Sequence, residues 1–275
     1  MKKIIIIFLV AVSFLSFSPP PASWTAIGDS ITYLNDHLDE TGNRVTKGYL
    51  TLVGEKMPGL TIMNQGHNGW TSGGIAEKFG ELGISKSDIY TIFLGTNDWW
   101  QGRPLGSLSD YTSNTGNATV NGSFRIIVNN LRALNPAARI VLITPMQRGD
   151  FVYLTNFKNN AWGSYKPKKE QSLQQFAAAI MEIARVEHFD VVDLYNKSGI
   201  NQKNMTRFKR LKDPKTGLYR NYKYPDFIDI PFDPATDEYP YPPESINMTY
   251  DALHPSDKGY QVIAGMLLKV FKRYQ

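Results

Sequence analysis

The run Ile140-Val141-Leu142-Ile143-Thr144, entered from Arg139 and left at Pro145, reads as a strand buried on both faces. Its apolar residues are continuous, whereas a strand with one wetted face would alternate apolar and polar side chains. Such a strand belongs inside a parallel sheet with helices on both sides. Working outward, similar runs predict strands at 24–27, 60–64, 89–94, 139–144 and 190–194. Between them, amphipathic stretches predict helices at 47–57, 72–82, 122–134, 168–188 and 257–274. The fourth helix aligns Leu173, Phe176, Ala177, Ile180, Ile183 and Ala184 in one stripe, the spacing of a helix packed on a sheet. The pattern predicts an α/β protein, a three-layer α/β/α sandwich around five parallel strands.

Composition agrees with a globular chain: 275 residues, 42% apolar and 20% charged. There is no cysteine, which excludes a thiol nucleophile, a thiolate metal site, a disulfide and a lipidated N-terminal cysteine. A formal net charge of +5, without a dense basic stripe, gives no ground for nucleic-acid binding.

Residues 1–23 read as a secretory signal. Lys2 and Lys3 precede the apolar stretch from Ile4 to Phe17, broken by Ser13 and Ser16, and Pro19, Pro20 and Pro21 end it. The apolar stretch is shorter than the ~20 residues that span a bilayer. The protein is therefore expected to be secreted or periplasmic, with no stable membrane anchor, and its remainder, 24–275, to form one domain. A buried first strand or helix is the competing reading of the same residues.

Three connections, 99–121, 145–167 and 201–250, are too long for tight turns, and long loops in compact domains are commonly functional. The last is segregated by charge. Residues 203–223 carry eight Lys or Arg and one acid, and 226–244 carry six acids and no base. This insert is expected to wall the site, its basic half either drawing an acidic polysaccharide or serving as a solvated charged face.

Four short segments carry chemistry. Gly28-Asp29-Ser30 ends the first strand, where open α/β sheets bind ligands. Asn64-Gln65-Gly66 follows the second strand and runs into His67-Asn68-Gly69, and a glycine there can present a bare backbone N–H. Gly95-Thr96-Asn97-Asp98 follows the third strand, and Asn97 can aim its amide at an anion. In Asp251-Ala252-Leu253-His254-Pro255, a carboxylate three residues ahead of a histidine can hold Nδ1–H and leave Nε2 as a base, with Ser256 capping the last helix. Each segment alone also suits a turn or a helix entry, but together they converge on one edge of the sheet.

In these residues the chain resembles the GDSL (SGNH) hydrolases, whose four naming residues fall in four ordered blocks. Ser30 within GDS, Gly66 within NQG, Asn97 within GTND, and His254 with Asp251 within DALHP match them, across 28–255. The resemblance implies a flavodoxin-like SGNH hydrolase fold and an ester hydrolase that needs no cofactor and no metal. It implies Ser30, Asp251 and His254 as catalytic residues, and the Ser30 N–H, the Gly66 N–H and the Asn97 amide as the oxyanion hole. Asp29 and Asp98 are expected to anchor loops, while His37, His67 and His188 have no expected role.

A secreted esterase with aromatic loops resembles the carbohydrate deacetylases, with Trp70, Trp99 and Trp100 as a stacking surface or as core packing. The expected partner is a small-molecule or glycan ester. A lipase or thioesterase of the same family is the alternative, though the insert mixes its aromatics with charges and prolines. From other classes come a metal-dependent phosphoesterase using Asp29, Asn97, Asp98, Asp251 and His254, and a non-catalytic glycan-binding protein.

Overall fold

The computed structural model describes residues 23–274. The leader read over 1–23 lies outside the described residues except for Ser23, which opens the first strand. In chain order the strands are β1 (Ser23–Gly28), β2 (Thr61–Gly66), β3 (Ile89–Phe93), β4 (Arg139–Ile143), β5 (Phe151–Val152), β6 (Asn160–Ala161), β7 (Asp190–Val192), β8 (Lys209–Lys212) and β9 (Tyr219–Tyr222). Five of them form one parallel sheet in the order β2-β1-β3-β4-β7, while β5–β6 and β8–β9 are antiparallel hairpins. The helices are α1 (Ser30–Tyr33), α2 (Tyr49–Lys56), α3 (Ser72–Lys78), α4 (Thr96–Gln101), α5 (Leu108–Thr112), α6 (Val120–Leu134), α7 (Leu173–Glu187), α8 (Leu194–Lys197) and α9 (Asp257–Phe271).

The continuous apolar strands serve two cores at once. In β4, Val141 and Ile143 join the cluster under α2 and α9, with Tyr49, Val53, Ile263 and Leu267. Ile140 and Leu142 join the opposite cluster under α3, α6 and α7, with Ile75, Phe124, Leu131, Phe176 and Ile180. The side chains from Ile140 to Ile143 are thus removed from water on both faces, worth about 1.5–3 kcal/mol for each large apolar residue. This is the expected three-layer arrangement.

Boundaries shift where capping or pairing decides them. The helix expected from 168 starts at Leu173, because Ser172 and Gln175 form a capping box and Lys169 and Glu170 hold positive φ angles of 45° and 63°. Ser256 caps α9 by accepting from the Gly259 N–H, as expected. β2 runs on to Gly66, since Asn64, Gln65 and Gly66 pair in register with Ala26, Ile27 and Gly28.

The strand order positions the site. From β1 the chain moves to β2 on one side and returns to β3 on the other, so a crevice opens at the C-terminal end of β1. Ser30 stands there.

Candidate active site

Asp29 caps α1, its Oδ1 accepting from the Ile31 N–H at 3.0 Å, which leaves the Ser30 hydroxyl to point elsewhere. The hydroxyl meets the loop before α9. His254 Nε2 lies 2.9 Å from Ser30 Oγ, and His254 Nδ1 lies 2.6 Å from Asp251 Oδ2. The other oxygen of Asp251 accepts from the backbone N–H groups of Leu253 and His254 at 3.0 and 2.7 Å. The carboxylate is fully buried, and three donors fix its orientation. Phe151 packs edge-on against the imidazole, and Tyr250 stacks on it at 5.8 Å between centroids. A hydroxyl, an imidazole and a carboxylate in this line can move a proton from oxygen to nitrogen while the acid steadies the resulting cation.

Beside Ser30 lies a cavity of about 210 Å³, lined also by Asn68, Gly69, Asn97, Trp100, Gln101, Arg148, Phe151, Tyr153, Asn159, Leu253 and His254. Asn97 Nδ2 spends one proton on the Trp70 carbonyl at 3.0 Å and keeps a second.

Gly66 does not take its expected place. Its N–H donates to Asn64 Oδ1 at 2.9 Å, and a Cβ there would lie 2.1 Å from the Tyr33 nitrogen, so this glycine lets β2 pass close behind α1. Gly69 lines the cavity instead. It occupies the turn closed by the Trp70 N–H on the His67 carbonyl, with φ of 76°, a conformation that favours glycine. Among the described residues neither the Ser30 nor the Gly69 N–H has a protein acceptor. The departure follows from strand pairing: register with β1 draws Gly66 into the ladder and moves the exposed turn three residues on.

The tryptophans divide. Trp100 lines the cavity, whereas Trp99 is wholly buried and donates Nε1–H to the Gln171 carbonyl, so it is core. Trp70 stacks on His67 at 4.7 Å and meets the site through its carbonyl. Burial lowers the His67 pKa.

Asp98, also fully buried, anchors the neighbouring loop through the Ser72 N–H and hydroxyl and faces Arg103. Burial raises its pKa, and burial lifts that of Asp29 to about 6. Among the described residues no group of three or more His, Asp or Glu is placed to hold a metal ion.

The insert does not wall the cavity, since none of residues 201–250 lines it. It stands one layer back. Lys209 Nζ pairs with Asp150 Oδ2 at 3.0 Å, the Tyr239 hydroxyl donates to the Val152 carbonyl at 3.0 Å, and the Tyr241 hydroxyl donates to the Asp150 carbonyl. These bonds brace the segment bearing Phe151 and Tyr153. The insert's two charged halves pair with each other, Lys212 with Asp237 and Arg210 with Glu238.

Arg148 carried no signal in the sequence, where a single arginine in a long loop fits no pattern. It is 1% exposed, with its guanidinium 5.7, 5.3 and 5.7 Å from the ring centroids of Trp99, Trp100 and Phe151. Burial pulls its pKa down to about 10, against the opposing pull of Asp251 and Asp150, so it is a cation at neutral pH.

Fold and site define a flavodoxin-like α/β protein with a serine–histidine–aspartate line at the carboxyl edge of its sheet. The chain belongs to the GDSL-like Lipase/Acylhydrolase family, whose model matches residues 26–262. It is 61% identical to a solved protein described as a possible lipase from Chitinophaga pinensis, with a TM-score of 0.91 over 92% of this chain and 98% of that one. A protein from Lactobacillus plantarum (18% identity, TM-score 0.62, 94% and 100% covered) and the lipase/acylhydrolase from Enterococcus faecalis (17%, 0.50, 92% and 96%) share the fold. No curated protein matches the chain.

Proposed function

We propose that the protein is a serine-dependent carboxylic ester hydrolase that removes acetyl groups from a carbohydrate. The observation that carries this is the 2.9 Å contact between His254 Nε2 and Ser30 Oγ, with Asp251 behind the ring. His254 accepts the Ser30 proton as Oγ attacks the ester carbonyl, and the imidazolium then protonates the departing alcohol. Water, deprotonated by the same nitrogen, hydrolyses the acyl-enzyme and returns the proton to Ser30. The N–H groups of Ser30 and Gly69 and the remaining amide proton of Asn97 hold the oxyanion.

Two features support a small acyl group on a polar alcohol. The cavity is below the ~300–1,000 Å³ common for drug-sized ligands, and amides and aromatics share its lining. Among the described residues the one large apolar side chain standing well into solvent is Leu218, which is far from the broad apolar surface an interfacial lipase uses. Export through the leader, followed by a single domain, completes the proposal, and N-terminal sequencing of the protein released by its host tests that part. No helix among the described residues is long and apolar enough to cross a membrane.

The decisive experiment is an ester panel from acetyl to long acyl on aryl, sugar and glyceride alcohols, with Ser30→Ala as control. The expected result is best turnover of acetylated sugars, lost in the variant and after labelling by an organophosphonate. Activity rising with acyl length would replace the carbohydrate by a lipid or thioester substrate. Activity abolished by a chelator and indifferent to Ser30→Ala would remove the serine mechanism.

A further inference from the structure

A guanidinium enclosed in protein normally has its in-plane donors filled, because burying a cation without partners is strongly unfavourable. Arg148 departs from this. None of its three nitrogens donates to a protein acceptor among the described residues, and Nε and Nη2, the pair that forms one bidentate edge, are fully enclosed. The rings of Trp99, Trp100 and Phe151 offer π-electrons to the cation but no in-plane acceptor.

The nearby acids already accept hydrogen bonds from other donors. Asp251 is held by His254 and two backbone N–H groups. Asp150 takes the Gly163 N–H and Tyr165 hydroxyl on one oxygen and Lys209 on the other. Asp29 accepts from Ile31. Arg148 lines the Ser30 cavity, and no Asp or Glu does. A second cation, Lys168 Nζ, sits 3.9 Å from the centroid of the cavity-lining Trp100. The cavity wall therefore carries a cation without a hydrogen-bond acceptor among the described residues, and its lining includes no carboxylate.

We propose that Arg148 is a specificity-determining residue that receives a carboxylate carried by the ester substrate. Nη1, the guanidinium nitrogen that is not enclosed, can give a carboxylate oxygen a charge-assisted hydrogen bond, roughly twice as strong as the one a neutral hydroxyl would accept. The proposal deepens the esterase reading and rests on it. The carboxylate belongs either to the alcohol part, as in a uronic acid, or to the acyl part, as in a dicarboxylic half-ester.

Two matched pairs test this: an O-acetylated methyl glucuronoside against its carboxyl methyl ester, and p-nitrophenyl hemisuccinate against p-nitrophenyl butyrate. The wild-type enzyme is expected to favour the charged member of one pair about tenfold or more in kcat/KM, the scale of a charge-assisted hydrogen bond. The pair that shows it tells which part of the ester bears the charge. Arg148→Gln brings that ratio to about one, and Arg148→Lys keeps a part of it. Independently of any variant, free glucuronate or succinate inhibits the wild-type enzyme competitively, and its methyl ester does not. Equal rates within both pairs overturn the proposal, as does an Arg148→Gln loss equal on both members, which would place the arginine in support of the catalytic line. Failure to hydrolyse p-nitrophenyl acetate would instead sink the esterase reading, while a charge-blind enzyme active on that ester sinks this proposal alone.

Discussion

His254 and Asp251 are joined twice, once through the ring nitrogen at 2.6 Å and once through the His254 backbone N–H at 2.7 Å. The residue that needs orienting is thus also the residue that orients the carboxylate. An asparagine at 251 must keep its Oδ1 on the two backbone donors, which turns its NH₂ toward Nδ1. The proton is then driven to Nε2, where it blocks acceptance from Ser30. Asp251→Asn is expected to lower kcat by about 10⁴ with the fold intact, and Ser30→Ala by at least as much. Steady-state kinetics on p-nitrophenyl acetate, with circular dichroism for the fold, decide it; near-normal turnover by Asp251→Asn would refute the base assignment.

The two glycines after β2 separate by different failures. Gly66→Ala forces a Cβ to within 2.1 Å of a backbone nitrogen, so the variant should be strongly destabilised. Gly69 has open space around it, and Gly69→Ala should fold with a loss of about 1–2 kcal/mol from its positive φ. Its kcat should nevertheless fall. Asn97→Ala should reduce kcat by about 10²–10³ with KM little changed. Urea melts beside kcat values test the contrast, and a stable, inactive Gly66→Ala would restore that glycine to the oxyanion hole.

Lys209 and Asp150 form a nearly buried pair, 6% and 13% exposed. Lys209→Met removes the cation and leaves Asp150 Oδ2 uncompensated, an expected loss of about 3–5 kcal/mol. Limited proteolysis should then cut residues 145–167 faster. Unchanged cleavage would mean that the insert does not brace that segment.

Asp29 gives a pH signature. Its carboxyl titrates near 3.8 in a model peptide and near 6 in the folded protein, because burial disfavours the charge. Between those values the unfolded chain has lost a proton that the folded chain retains, so stability falls as pH rises through this window. The difference approaches about 3 kcal/mol above pH 6. Asp29→Asn, which can still accept from Ile31, should match the wild type at low pH and exceed it above pH 6. Parallel denaturation curves across that range would show that Asp29 does not carry the slope.

The sandwich was readable because a parallel strand advertises two buried faces in one continuous run, as 140–144 does, and because Ser30 and the Asp251–His254 spacing depend on local chain direction. The exchange of Gly66 for Gly69 was not readable. It depends on how far β2 stays in register with β1, which is a property of two strands. Trp99 and Trp100 are neighbours in sequence, yet α4 turns one into the core and the other toward the cavity. Arg148 acquires its meaning only from rings at 99, 100 and 151 that close around it. The insert's place just before Asp251 in the chain suggests a wall, but Tyr239 and Tyr241 spend their hydroxyls on backbone carbonyls one layer behind the cavity.

That second layer separates two kinds of inheritance. Arg148, Phe151, Tyr153 and Asn159 line the cavity from the segment 145–167, while bonds that hold this segment come from Lys209, Tyr239 and Tyr241. Selectivity can therefore drift through substitutions that no ligand ever touches, and two relatives with identical cavity linings need not share a preference. A designer seeking a different ester has a dial on the far side of the wall.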